Sequence, residues 1–128
     1  MIGALSEEDK HATESQIRAA FDRYEMALMS NDIDTMMDLF WNSSETTRLT
    51  ASGGAYGLDE IQAFRSNRST DDITRRLTRI EITALTMDVG YANAEYKRVH
   101  SGRVGAQSHV WIRTSEGWKI ASAHVSIE

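Results

Sequence analysis

The chain has 128 residues, 41% hydrophobic and 26% charged, and its 14 basic against 19 acidic side chains give a net charge of -5. At this length roughly two thirds of the unfolded surface can be buried, so residues 1–128 read as one domain, and the ordinary, mildly acidic composition excludes disorder and a general nucleic-acid-binding role. With no Cys there is no disulfide framework, thiolate nucleophile, iron–sulfur cluster or Cys-ligated zinc, and with no Pro there is no proline cis peptide.

The N-terminal segment runs Met1-Ile2-Gly3-Ala4-Leu5 and then Ser6-Glu7-Glu8-Asp9, the reverse of the basic-then-apolar order of a secretory leader. No apolar run nears the ~18 residues of a membrane helix. A soluble, cytoplasmic protein that engages neither membrane nor nucleic acid is expected.

From residue 6 to 30, Ile17, Phe21, Tyr24 and Leu28, flanked by Ala20 and Met29, follow the three-and-four spacing of one helical face. Ser6 suits the N-cap, and Glu7, Glu8 and Asp9 suit the positive end of the helix dipole. Asn31-Asp32 breaks the pattern. A shorter second helix then carries Ile33, Met36, Met37, Leu39 and Phe40 inward and ends near Trp41-Asn42-Ser43-Ser44. Thr-rich alternation over 46–52, a turn at Gly53-Gly54 and Ala55-Tyr56-Gly57 predict a short hairpin. Helical spacing returns over 58–67 through Ile61, Phe64 and Arg65. Beyond Asp71 the period becomes two. Runs at 73–87, 91–100 and 105–114 and, after Ser115-Glu116-Gly117, at 118–127 predict four long strands. The fold class is α+β, a bent antiparallel sheet with helices packed on one face.

This order is similar to that of the nuclear transport factor 2-like superfamily, which includes SnoaL-like proteins and ketosteroid isomerases. More specific strings are 21–28 (Phe-Asp-Arg-Tyr-Glu-Met-Ala-Leu), Leu39-Phe40-Trp41, Thr46-Thr47-Arg48, Tyr56-Gly57, 61–68 (Ile-Gln-Ala-Phe-Arg-Ser-Asn-Arg), Gln107-Ser108-His109-Val110-Trp111, Gly117-Trp118 and Ala123-His124-Val125-Ser126. Together they resemble the AtzH-like family over nearly the whole chain after Thr13. The third long strand in that family's pattern reads Gly-Arg-Gln-Ser-Gln, whereas here Gly105 is followed by Ala106-Gln107-Ser108-His109. The resemblance implies a cone-shaped fold, a curved sheet with helices on its concave face, an internal pocket and a homodimer. It also implies decarboxylating amide hydrolysis of a carboxylated urea, which is expected to proceed without metal and with Tyr24 and Arg48 catalytic. Trp41, Arg65, Arg68, Ser108, His109 and His124 would then bind a small carboxylate-bearing substrate. No cofactor is implied.

Each of these residues also has a plainer reading. Arg48 sits among Thr47, Leu49 and Ala51, where a guanidinium lining the cone can grip a carboxylate through two parallel hydrogen bonds; an edge-strand Arg facing solvent or an interface is the alternative. Arg65 and Arg68 share a helix face, and Arg75, Arg76 and Arg79 begin the first long strand. They read either as an anion-attracting pocket mouth or as solvated charge. Tyr24 is a core residue or a proton relay beside an Arg. Alternation puts Gln107, His109 and Trp111 on one face of their strand and Ser122, His124 and Ser126 on one face of the next. A polar floor of His109 and His124 follows if the strands bring them together. Metal is not expected, because His11 lies near a terminus, His100 lies beside a turn and no His-x-His spacing occurs. Ser52 to Gly57 lacks the Lys of a phosphate loop and reads as a turn. The Asp base and oxyanion-hole set of a steroid isomerase is not locatable. A non-catalytic ligand-binding or assembly module, or another SnoaL-like isomerase or dehydratase activity, is the alternative function. Tyr91 and Tyr96 are the candidates for an outer sheet face that a dimer would cover.

Overall fold

The computed structural model describes residues 3–127, so Met1, Ile2 and Glu128 at the ends of the expected domain lie outside the described residues. Helix α1 spans Glu7–Met29, its N-cap Ser6 accepting from the Asp9 amide at 3.0 Å. Thr13, Ile17, Phe21, Tyr24 and Leu28 form its buried stripe. Asn31 takes a positive φ of 53° and turns the chain into α2, Ile33–Asp38, capped by Asp32. Strands β1 (Thr47–Thr50) and β2 (Gly53–Tyr56) form the hairpin, with the reversal at Ala51-Ser52 and Gly53 opening β2 rather than making the turn. Gly53 has a φ of 138°, which favours glycine at that position, and a Cβ added to Gly54 would stand 2.7 Å from Leu49 Cδ2. Helix α3 follows at Leu58–Asn67.

Four long strands complete the chain: β3 Arg75–Ala84, β4 Val89–Arg98, β5 Val104–Thr114 and β6 Gly117–Ile127. The six-stranded sheet has the order β2-β1-β6-β5-β4-β3, with β1 parallel to β6 and every other pair antiparallel. Register shifts at Leu77/Arg79 and Val110/Trp111 interrupt the ladders, and such bulges bend a sheet and increase its twist. The sheet is curved and unclosed, and α1 lies in its concavity against β3, β4 and β6. Contact there is close: a Cβ added to Gly90 would stand 2.5 Å from Ile17 Cδ1. Among the described residues no helix is long and apolar enough to cross a membrane.

The side chains on the concave face decide what the cone encloses. Ala92, Ala94 and Tyr96 of β4 and Gln107, His109 and Trp111 of β5 are buried there. Ala92, Ala94 and Trp111 share one core cluster with Ile17, Phe21, Tyr24, Met36 and Ile61 from the helices and with Phe40, which bridges to Ile120 beyond α2. Tyr96 corrects the expectation of an exposed pair. It is 1% exposed and its hydroxyl donates to the Ser126 carbonyl at 3.0 Å. Tyr91 lies an odd number of residues away on the same strand and therefore takes the other face.

Candidate functional site

Among the described residues of this acidic chain four arginines, Arg48, Arg65, Arg75 and Arg98, are buried, against one buried carboxylate, Glu25. They come from four elements. Strand alternation turns Arg48 of β1, Arg75 of β3 and Arg98 of β4 inward, and helical spacing puts Arg65 one turn after the buried Ile61 of α3. Burying a charge costs several kcal/mol unless it is paired and hydrogen-bonded, so the partner of each one matters.

Arg75 is paired with a carboxylate. Its Nε donates to Glu25 Oε2 at 3.1 Å and its Nη2 to Glu25 Oε1 and, at 2.7 Å, to Gln107 Oε1. Gln107 Nε2 closes the triangle on Glu25 Oε1 at 3.2 Å. The Arg75 guanidinium also lies 4.3 Å from the centre of the Tyr96 ring. Arg98 donates to the Asp72 carbonyl at 3.0 Å.

Arg48 and Arg65 differ. Arg65 Nη2 donates to the Tyr24 phenol oxygen, while its Nε and Nη1 have no partner. Arg48 Nε is likewise unpartnered, and its guanidinium stacks 4.1 Å from the centre of the Phe64 ring. Among the described residues no carboxylate pairs with either. Burial, then the neighbouring Arg65 charge, lowers the Arg48 pKa to about 10. It remains a cation at neutral pH, held where a cation is disfavoured. Arg68 stands beside this group, 5.7 Å from the same Phe64 ring, and burial followed by Arg65 lowers its pKa too. A cleft of about 420 Å³ between the hairpin and α3, lined by Arg48, Thr50, Glu60 and Phe64, reaches Arg48 from the outside; Arg65, Arg68, Tyr24 and His109 are not among its walls.

His109 forms the wall behind Tyr24, its ring edge-on at 5.1 Å and 85°. It is 1% exposed, and its Nδ1 has no partner. Burial, with Arg75, Arg65 and Arg48 acting in the same direction, lowers its pKa to about 3. The imidazole is therefore neutral across the physiological range.

Of the residues expected at the site, Tyr24, Arg48, Arg65, Arg68 and His109 are brought together. Ser108 and His124 are not. Cα partners across an antiparallel pair share a face; His109 pairs with Ala123, whereas His124 pairs with Ser108, and both of the latter are exposed on the convex side. The expected polar floor of two histidines does not form. Trp41 lines a separate cleft of about 450 Å³ with Phe40, Leu58 and Lys119. Glu25 and Gln107 had not been expected to act together. Glu25 adjoins Tyr24 on α1, and being a carboxylate next to the helix's apolar stripe was the one available sign of its burial.

The solved structures resembling this chain are of the same architecture. A protein of unknown function from Pectobacterium atrosepticum is 35% identical, with 98% of this chain and 99% of that one covered and a TM-score of 0.89. A cystatin-like fold protein from Burkholderia xenovorans is also 35% identical, covering 91% and 92%, with a TM-score of 0.84. At 21% identity, a nuclear transport factor 2-like superfamily protein from Salmonella enterica covers 91% of each chain with a TM-score of 0.76 and shows the fold. No curated protein matches. The AtzH-like family pattern matches residues 7–128. The chain belongs to the AtzH-like family and has the nuclear transport factor 2-like fold.

Proposed function

We propose that this chain is an enzyme whose arginine-bearing interior takes a small carboxylated, urea-like amide and cleaves its N–carboxyl bond with its own side chains, acting as one domain in a cytoplasmic homodimer. The observation that carries the reading is the pair of buried cations, Arg48 and Arg65, without a carboxylate partner beside the Tyr24 hydroxyl. An anionic ligand supplies the missing charge, and Arg48 can hold a carboxylate through two parallel hydrogen bonds. Arg65 already donates to the Tyr24 oxygen, which leaves the phenol proton free to point at a ligand nitrogen. In the cleavage step the N–CO₂⁻ bond breaks, its electron pair goes to nitrogen, nitrogen takes the Tyr24 proton, and carbon dioxide leaves. Arg65 stabilises the negative charge on the phenol oxygen until water returns the proton.

An isomerase or dehydratase of the same superfamily would draw on a free buried carboxylate as base. Glu25, the buried carboxylate, is engaged by Arg75 and Gln107. A non-catalytic binding module is favoured by one observation, that burial holds His109 neutral, so that it brings no proton to a ligand. Release of carbon dioxide from urea-1-carboxylate separates the two. The enzyme reading expects acceleration over the buffer rate, lost by about 100-fold or more in Tyr24→Phe. Binding without acceleration supports the module.

A further inference from the structure

We infer that His109 is a specificity-determining residue of this site, its ring nitrogen Nδ1 accepting a hydrogen bond from an uncharged N–H group at the end of the ligand remote from the carboxylate. This inference rests on the arginine-bearing site proposed above and adds which uncharged group the site distinguishes.

The interior's unengaged polar atoms are nearly all donors. Arg48 Nε, Arg65 Nε, Arg65 Nη1 and Trp111 Nε1 are buried and unpartnered, and all are N–H donors. They call for ligand oxygens. The neighbouring acceptors are already committed. Both oxygens of Glu25 accept from Arg75, and Oε1 also accepts from Gln107. Gln107 Oε1 accepts from Arg75, and the Tyr24 oxygen accepts from Arg65. Among these side chains His109 Nδ1 is the unengaged atom that can carry a lone pair, in the neutral tautomer protonated at Nε2.

Its position suits the role. The ring stands between Tyr24, Phe21 and Trp111, at centroid distances of 5.1, 6.3 and 5.8 Å, so packing fixes where the nitrogen points. Arg48, Arg65 and Arg75 all act electrostatically on it, which places it within the same cluster. A neutral imidazole keeps one lone pair available. A methyl group presented there would leave that lone pair buried and unmatched, and a buried site punishes the analogue that lacks the partner group.

The test uses two probes of one shape, succinamate and levulinate, which share a carboxylate and a carbonyl and differ by a terminal NH₂ against CH₃. Titration calorimetry on the full chain is expected to show succinamate binding about three- to tenfold more tightly than levulinate. In His109→Phe, which keeps an aromatic ring among Tyr24, Phe21 and Trp111, the two affinities converge while levulinate still binds. In His109→Gln, which restores an acceptor, the preference returns. Equal affinities in the unmodified chain, or an unchanged ratio in His109→Phe, overturn the role of His109 and leave the arginine site standing. Failure of both probes to bind overturns the arginine site, and this inference falls with it.

Discussion

The Arg65 guanidinium of α3 donates to the phenol oxygen of Tyr24 on α1, joining two helices across 41 positions of sequence in the centre of the cone. The bond makes Tyr24 a structural residue as well as the proposed proton donor. Tyr24→Phe leaves Arg65 with no hydrogen-bond partner, so we expect a loss of about 1–3 kcal/mol on denaturant unfolding. The double variant Tyr24→Phe, Arg65→Met removes the stranded charge and is expected to recover most of it. A double variant no more stable than Tyr24→Phe contradicts the assignment.

Glu25, Arg75 and Gln107 form a closed triangle, and breaking one member is worse than removing the pair. Glu25→Gln is expected to cost about 3–5 kcal/mol by leaving Arg75 buried and unpaired, whereas Glu25→Gln combined with Arg75→Met costs less. Thermal and urea unfolding of both variants measure this. Equal costs would show that Arg75 is solvated rather than enclosed.

His109 gives the fold a pH dependence of defined sign. Its pKa is about 3 in the folded chain, against an ordinary 6.5, so between these values the unfolded chain binds the extra proton and stability falls as pH falls. The slope approaches about 1.4 kcal/mol per pH unit within that window, and nothing is gained or lost through this group above it. Between pH 6 and 5, urea midpoints of the unmodified chain should fall more steeply than those of His109→Phe. Parallel curves contradict the burial of a neutral imidazole.

The convex side of the sheet carries Ser108, Val110, His124 and Ser126, all exposed, and in the proposed homodimer a second copy covers it. Light scattering is expected to give twice the 14.4 kDa chain mass. Val110→Glu should shift the particle toward the single chain, because an unpaired charge does not tolerate burial in an interface. A chain-mass particle at micromolar concentration overturns the dimer.

Period-two and period-3.6 patterning made the elements legible, and with them Tyr24 on its apolar stripe and the gathering of arginines. Which face of a strand turns inward was less legible. Alternation separates Ser108 from His109 but does not say that His109 pairs with Ala123 and so stands away from His124; that register is set by long-range pairing and by the shift at Val110/Trp111. Tyr91 and Tyr96 show that parity had more to give: five residues apart on one strand, they could not share a face. Glu25 was the harder case. Its burial depends on Arg75, 50 positions later, and no local pattern carries that.

In the proposed function Arg48 and Arg65 await an anion. Titration calorimetry of malonate into the unmodified chain and into Arg48→Met tests it most directly, with a chain that is expected to stay folded because the substitution removes a poorly matched buried charge. One saturable site per chain is expected, weakening tenfold or more in Arg48→Met. No saturable binding to the unmodified chain, or equal affinity in the two, would contradict it.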